Sequence, residues 1–435
     1  MKSKDRNQTK IKVLMLGWEF PPILNGGLGV ACHGLCNELQ DLADITLIIP
    51  KSKSTFMMKN MELIGLDQCQ LKFKRFTEEP ETTRHYHVDS IKTHLSPYKD
   101  MDHSFFSTDW SVRETRIREE ESVVDGSVDL ELYGNDMMKN VGRFAHSASL
   151  LADDKTFDLI HAHDWMTFPA GMAIKSRTGK PLALHVHSLE TDRNPNGLGT
   201  ETYNIEKEAL ENADVIFAVS SWTKFNIVKH YHIKEEKIFT VHNGINGNTP
   251  IQLTHLKNFK TALFLGRLTF QKGPEIFIKI AKKVLSAVPD IHFVIAGTGD
   301  KFTALIDQAI SYNISNRIHF TGFLGRESVK RLLSVTDVYV MPSISEPFGL
   351  SALEAAQQDV PCIVSRQSGV GEVLNHALKA DYWDIEKIAD YIIAVVNNKA
   401  LKEELVANTK KDLEKVDWHA AASKTHRIYQ QLINH

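Results

Sequence analysis

The chain has 435 residues, 42% hydrophobic and 24% charged, an ordinary globular make-up but too long for one ordinary core, so two domains are expected. Its 51 basic and 54 acidic residues leave a net charge of -3, which argues against a nucleic-acid binder or a strongly anionic partner surface. Of the four cysteines no two show CxxC spacing; Cys32 and Cys36 are expected buried on one helix face, in a reducing, cytoplasmic protein.

Residues 1–10 are polar and basic and are expected to form a disordered leader. Ile11–Gly17 reads as a buried strand, too short for a signal core or a transmembrane segment. Beyond Pro21 and Pro22, the spacing of Val30, Leu35, Leu39 and Leu42 predicts a helix over 29–42, and Ile45–Ile49 a second buried strand. Apolar strands joined by a helix predict a parallel sheet covered on both faces. From Met58 to Asn135 the pattern is irregular; Leu71–Phe76, His85–Ile91 and the charged Arg113–Glu121 read as an insertion in the first domain. Regularity returns with a helix over 136–151 and strands at Leu159–His161, Leu182–His187, Val215–Val219 and Lys237–Val241. A polar break with Pro250 spans 247–258. The pattern then restarts, with strands at Thr261–Leu265, His292–Ala296, Ile318–Phe320, Val338–Met341 and Cys362–Ser365, a helix at Pro274–Ala287 and others between. Trp418–Ile433 is helical by spacing. The expected division is a Rossmann-like α/β domain over 11–247, a second over 258–416, and a terminal helix within 417–435. Open parallel sheets bind ligands beyond the carboxyl ends of their strands, so a cleft between two such ends is expected to hold the active site.

Four strand-end motifs could carry chemistry. Gly26-Gly27-Leu28-Gly29 stands at a helix start, either as an anion cradle or as a tight turn needing positive φ; with Cys32 in the way it is no GxGxxG fingerprint. Gly266-Arg267 and Lys272-Gly273 offer a planar fork and a point charge for a diphosphate, or two solvated charges. Pro342–Leu350 re-enters a helix through Pro347 and Gly349, carrying Glu346 and, roughly 12 Å further along the helix, Glu354. That spacing is wrong for a hydrolytic acid/base pair and suits two parts of an elongated ligand, or a surface turn with solvated glutamates. His161-Ala162-His163-Asp164-Trp165 is followed at the next strand end by His185 and His187; no carboxylate or cysteine supplies metal spacing, so sugar-hydroxyl recognition is favoured over zinc. In His242-Asn243-Gly244 a positive-φ turn accounts for the Asn-Gly pair, and its hinge position leaves a ligand role open.

Taken together, these motifs resemble the group-1 (family 4) retaining glycosyltransferases of the GT-B fold, glycogen synthase-like members above all, over nearly the whole chain. Glu346 to Glu354 is similar to the family's Glu-x7-Glu motif, and HAHDW at His161–Trp165 to the glycogen and starch synthase string. The resemblance implies two Rossmann-like domains facing across a cleft, with the last helix crossing back onto the first. It implies that Arg267 and Lys272, with Gly266, bind the donor diphosphate and stabilise the leaving group, and that Glu346 lies beside the donor sugar. Glu354 would take the ribose, and the Gly26-Gly27 amides and the Phe348-Gly349-Leu350 turn would meet the phosphates. The backbone about Thr321, Gly322 and Phe323 would receive the base. His187 and Asp164 would contact the transferred sugar, and Asn243 the sugar or acceptor.

The expected activity is transfer of a sugar, glucose first, from a UDP-, ADP- or GDP-sugar to a carbohydrate or small-molecule hydroxyl, with no cofactor and no metal. Leu24 stands where ADP-glucose enzymes carry lysine, Leu28-Gly29-Val30 departs from their Leu-Ala-Asp, and Asn246 replaces their aspartate. Elongation of an α-1,4-glucan is therefore the alternative. From other classes, a sugar-nucleotide epimerase and a non-catalytic carbohydrate-binding protein remain as readings.

Overall fold

A computed structural model describes residues 10–24, 26–52, 58–69, 136–247, 250 and 259–434, together with the backbone of 72–78 and 117–123. Most of the leader, the His85–Ile91 run and most of the 247–258 break lie outside these residues.

The first nine strands are β1 (Ile11–Leu16), β2 (Ala43–Ile49), β3 (Met61–Gly65), β4 (Lys72–Glu78), β5 (Ile117–Val123), β6 (Leu159–His163), β7 (Leu182–Val186), β8 (Val215–Ala218) and β9 (Ile238–Thr240). Seven form one parallel sheet in the order β3-β2-β1-β6-β7-β8-β9, and β4 and β5 pair antiparallel on their own. Part of the irregular Met58–Asn135 stretch is thus an edge strand of the main sheet. The second sheet is also parallel, in the order β12-β11-β10-β13-β14-β15. Its strands are β10 (Lys260–Leu265), β11 (Ile291–Ala296), β12 (Ile318–Gly322), β13 (Val338–Met341), β14 (Cys362–Ser365) and β15 (Leu378–Ala380).

Both sheets are buried on both faces, as continuous apolar strands require. Along β1, Leu14 and Leu16 enter one core while Val13 and Met15 enter the core on the other face. Phe264 and Leu263 of β10 part in the same way. Cys32 and Cys36 are unpaired and buried in the core under the first helix, Gly27–Leu39.

The last helix, Trp418–Ile433, packs on that first helix. Val416 belongs to a core of the second sheet and Trp418 to a core of the first, so the chain crosses within two residues. Glycines make the notch it enters. A Cβ on Gly34 would fall 2.2 Å from the Trp418 ring, and one on Gly244 2.3 Å from the Trp418 amide. Gly244 does not have positive φ; its side chain is excluded by close backbone approach, which corrects the turn reading of the Asn-Gly pair. No described helix is long and apolar enough to cross a membrane.

Candidate active site

Each sheet has one place where the strand order reverses, between β1 and β6 in the first and between β10 and β13 in the second. Connections leave such a point in opposite directions and open a crevice beyond the strand ends. The glycine corner follows β1, His163 and Asp164 end β6, Arg267 follows β10, and the Glu346 turn follows β13.

The two crevices meet. A Cβ on Gly27 would lie 3.5 Å from the Leu350 side chain, so the amino end of the first helix faces the amino end of helix Leu350–Gln357 in the other domain. None of the glycines from Gly26 to Gly29 has positive φ, which removes the tight-turn reading. Gly29 is required by packing, since its Cβ would meet Leu24 at 2.4 Å and the buried Glu19 at 2.9 Å.

Lys272 and Glu346 come together. Lys272 closes a short 3-10 turn, Phe270–Lys272, and its Nζ donates to Glu346 Oε2 at 2.5 Å. Glu346 is only 5% exposed, so the solvated-turn reading fails for it. Backbone bonds fix both loops, with the Ile344 amide donating to the Gln271 carbonyl at 2.8 Å and the Glu346 amide to the Gln367 carbonyl at 2.8 Å. Gly273, at φ +67, lies where a Cβ would be 2.3 Å from the Pro342 carbonyl, so only glycine lets the loops pass so closely.

The Glu346 turn is also bound to the first domain on both sides. Ser345 Oγ donates to Asp192 at 2.5 Å and accepts from the Trp222 indole at 3.1 Å. The Pro347 carbonyl accepts from Ser220 Oγ at 2.5 Å. Nearby, Glu372 accepts from the Ser221 and Trp222 amides, both at 2.9 Å, and lies 2.7 Å from His242 Nε2. Burial pushes the Glu372 carboxyl up, but the His242 and amide bonds outweigh it and hold it below its ordinary range.

Other expected residues take distinct places. Arg267 is exposed in the loop after β10, which packs on the Gly297–Gly299 loop. Glu354 is reached by solvent, yet the surrounding walls raise its carboxyl and Arg326 draws it back down. The exposed Phe323 follows Gly322, at φ +70, beyond the end of β12. Asn243 is buried at the hinge, beside Gly244. Gly349, at φ +108, starts the Leu350 helix. Phe348 differs from expectation: its ring is buried in the core and its carbonyl accepts from the Val370 amide, so it can only shape the turn.

Three of the four strand-end histidines cannot meet a sugar. His161, His163 and His185 are buried, at 0%, 0% and 2% exposure, which corrects the hydroxyl-recognition reading for them. His187 alone is half-buried, and burial lowers its pKa to about 3, so it is neutral at pH 7. Asp164, in left-handed backbone at φ +60, accepts from the His187 amide at 2.6 Å through Oδ1. That oxygen is therefore committed to holding the His187 backbone rather than to a ligand.

Burial raises the Asp164 carboxyl to about 7, against the pull of the His187 amide. A carboxyl raised above its unfolded value binds a proton in the folded state first, so stability falls as pH rises from about 4 to about 7 and then levels off. Asp164→Asn is expected to flatten this part of a melting-temperature profile against pH; buried Glu206, also raised to about 7, keeps some slope in the variant.

Trp222, Glu372 and Arg326 are absent from the sequence expectations, and Ser345 enters them only as part of the Pro342–Leu350 turn. The partners of Ser345, Trp222 and Glu372 lie across the domain boundary, and a single sequence carries no signal for such pairs.

Residues 248–412 match the model of the glycosyl transferases group 1, and residues 101–248 that of glycosyltransferase family 4. An uncharacterized glycosyltransferase of Bacillus subtilis is 31% identical over 58% of this chain and 71% of its own. A glycogen synthase of Mycobacterium tuberculosis is 24% identical over 96% of this chain and 94% of its own. Among solved structures, an Anabaena protein in complex with UDP and glucose superposes with a TM-score of 0.66 at 14% identity, over 97% of this chain and all of that one. The architecture is thus the GT-B fold.

Proposed function

Because the chain belongs to the group 1, family 4 glycosyltransferases, we propose that it moves glucose, with retention, from a nucleoside-diphosphate donor to an acceptor hydroxyl in the cleft between its two sheets. The observation that carries this reading is the Lys272–Glu346 pair at the switch point of the second sheet, on the turn that leads into the Leu350 helix, whose start lies against Gly27 of the first domain.

Departure of a nucleoside diphosphate concentrates negative charge on its β-phosphate while the sugar becomes oxocarbenium-like. Fixed cations at the leaving group therefore gain most at the transition state. Lys272 is such a fixed cation, and Arg267, five residues earlier, adds a bidentate fork. With both in place the diphosphate needs no divalent ion. Glu346, next to Lys272, accepts from sugar hydroxyls, and Glu354, across from Arg326, accepts from the ribose. The amides at the glycine corner and at Leu350 point positive helix ends at the phosphates. His187 is neutral and presents its backbone, through Asp164, to the reacting face. In the transfer, the C1–phosphate bond breaks, the acceptor oxygen bonds to C1 on the same face, and the acceptor proton passes to the departing phosphate oxygen.

The test incubates the protein with UDP-, ADP- and GDP-glucose, with and without an acceptor panel of glucose, maltose and glycerol. Release of the nucleoside diphosphate with an α-linked product is expected. Arg267→Ala should lower kcat/KM by about 100-fold or more, roughly 3 kcal/mol. Epimerised donor without transfer, or binding without turnover in every arm, overturns the reading; a trapped covalent sugar–enzyme adduct overturns the same-face step alone.

A further inference from the structure

Beneath the last helix lies a histidine cluster that the transfer reaction does not use. His161 and His163 project from one face of β6, and His185 from the neighbouring position of β7, since His163 pairs with His185 in the sheet. All three are essentially inaccessible to solvent. Their ring nitrogens divide into two sets. His161 Nδ1 lies 2.5 Å from the Tyr429 hydroxyl of the last helix, and His163 Nδ1 lies 3.0 Å from His187 Nε2. By contrast His161 Nε2, His163 Nε2 and both nitrogens of His185 have no hydrogen-bond partner among the described residues. Buried polar atoms left in this way are uncommon, and a bound ion or water is one physical reason for them.

We infer that these three histidines form a binding site for one transition-metal ion of the zinc class, coordinated by His161 Nε2, His163 Nε2 and a ring nitrogen of His185. One ligand atom from each lies within 4.8 Å of the others. Zinc at about 2.0–2.1 Å from each nitrogen wants neighbouring ligands roughly 3.4 Å apart, so binding draws the three rings closer together. A histidine that ligates a metal through one nitrogen usually has the other held by a hydrogen bond, and Tyr429 and His187 hold His161 and His163 in that way. The rings are already neutral, as ligands must be, because burial keeps their protons off at pH 7. Imidazole nitrogen selects zinc, copper, nickel or cobalt over magnesium and calcium.

The ion has a role apart from the donor diphosphate. It ties β6 to β7 and, through Tyr429, both to the last helix. With the metal on His163 Nε2, the proton of that ring sits on Nδ1 and is donated to His187 Nε2. The half-buried His187 then keeps its own proton on Nδ1, so an ion below the cleft fixes the tautomer of a ring in its wall.

The test uses the full chain, dialysed against EDTA and then into metal-free buffer, and titrated with Co2+ as a visible-absorbing stand-in for Zn2+. One saturable equivalent is expected, with a d–d band that Zn2+ abolishes by displacement and a melting temperature that rises with either ion. His185→Ala should weaken binding by at least about 100-fold, and Tyr429→Phe, which keeps the packed ring, by roughly 10-fold. Absence of a saturable band and of a thermal shift in the wild-type chain overturns the site, as does undiminished binding by His185→Ala. None of these outcomes depends on sugar transfer, so the metal site and the transfer reading stand or fall separately.

Discussion

Lys272→Ala is expected to lower kcat/KM by about 10²–10³-fold, which is about 2.7–4 kcal/mol of transition-state stabilisation for a single preorganised donor. The side chain does two things, and a double substitution separates them. As a cation it meets charge on the leaving phosphate. As a partner it neutralises Glu346, whose side chain is 7% exposed. Alanine therefore leaves a buried carboxylate unpaired. The full cost of breaking a buried pair is about 3–5 kcal/mol. Here the Lys272 side chain is 21% exposed, so water reaches the vacated place and about 1–3 kcal/mol is expected. Adding Glu346→Gln to Lys272→Ala removes the stranded charge and should return most of the melting temperature while activity stays low. Stability measured by thermal melting and kcat/KM measured well below the transition would then move independently. If the double variant regains activity along with stability, Lys272 serves folding alone and its role in catalysis is wrong.

The fold was legible wherever burial on two faces writes continuous apolar runs. Ile45–Ile49, Val338–Met341 and Cys362–Ser365 read as strands from their own composition, and each forms one. β3 and β15 were missed because edge position leaves them only partly apolar: Met61–Gly65 carries Glu62, and Leu378–Ala380 carries Lys379. The site was legible through strand ends, since the carboxyl end of a parallel strand is where chain reversal forces glycine and proline and where ligands sit. It was not legible in side-chain environment. Glu346 and Glu354 look alike in the chain, yet one is buried against Lys272 and the other stands exposed near Arg326. His161, His163, His185 and His187 look equivalent, yet only the last, beyond the end of β7, escapes the core. The alternation of a strand fixes which residues share a face but not which face the last helix will cover, and Tyr429 reaches His161 over 268 positions of sequence.

That same last helix sets the second large expectation. Trp418→Ala should destabilise the protein by about 3–5 kcal/mol, the usual cost of emptying a buried indole site, and should uncouple the two domains. Trp418 is 6% exposed and fills the notch at Gly34 and Gly244, two residues after Val416 leaves the other domain's core. The adjoining Asp417 bridges to Ile245, so the two interdomain connections run side by side there. The indole therefore holds the second domain's outgoing chain onto the first domain's first helix, and a single melting transition should split into two without it. Gly34→Ala gives a sign test of the same contact. Alanine in a helix interior normally stabilises by about 1 kcal/mol over glycine. Here its methyl would meet the Trp418 ring at 2.2 Å, and overpacking of that kind costs about 1–3 kcal/mol, so the substitution should destabilise. In the Trp418→Ala background the obstruction is gone and helix propensity alone remains, so Gly34→Ala should become stabilising. A reversal of sign between the two backgrounds is the non-additivity expected of two residues in contact. An equal effect in both would mean that the last helix does not sit on the first.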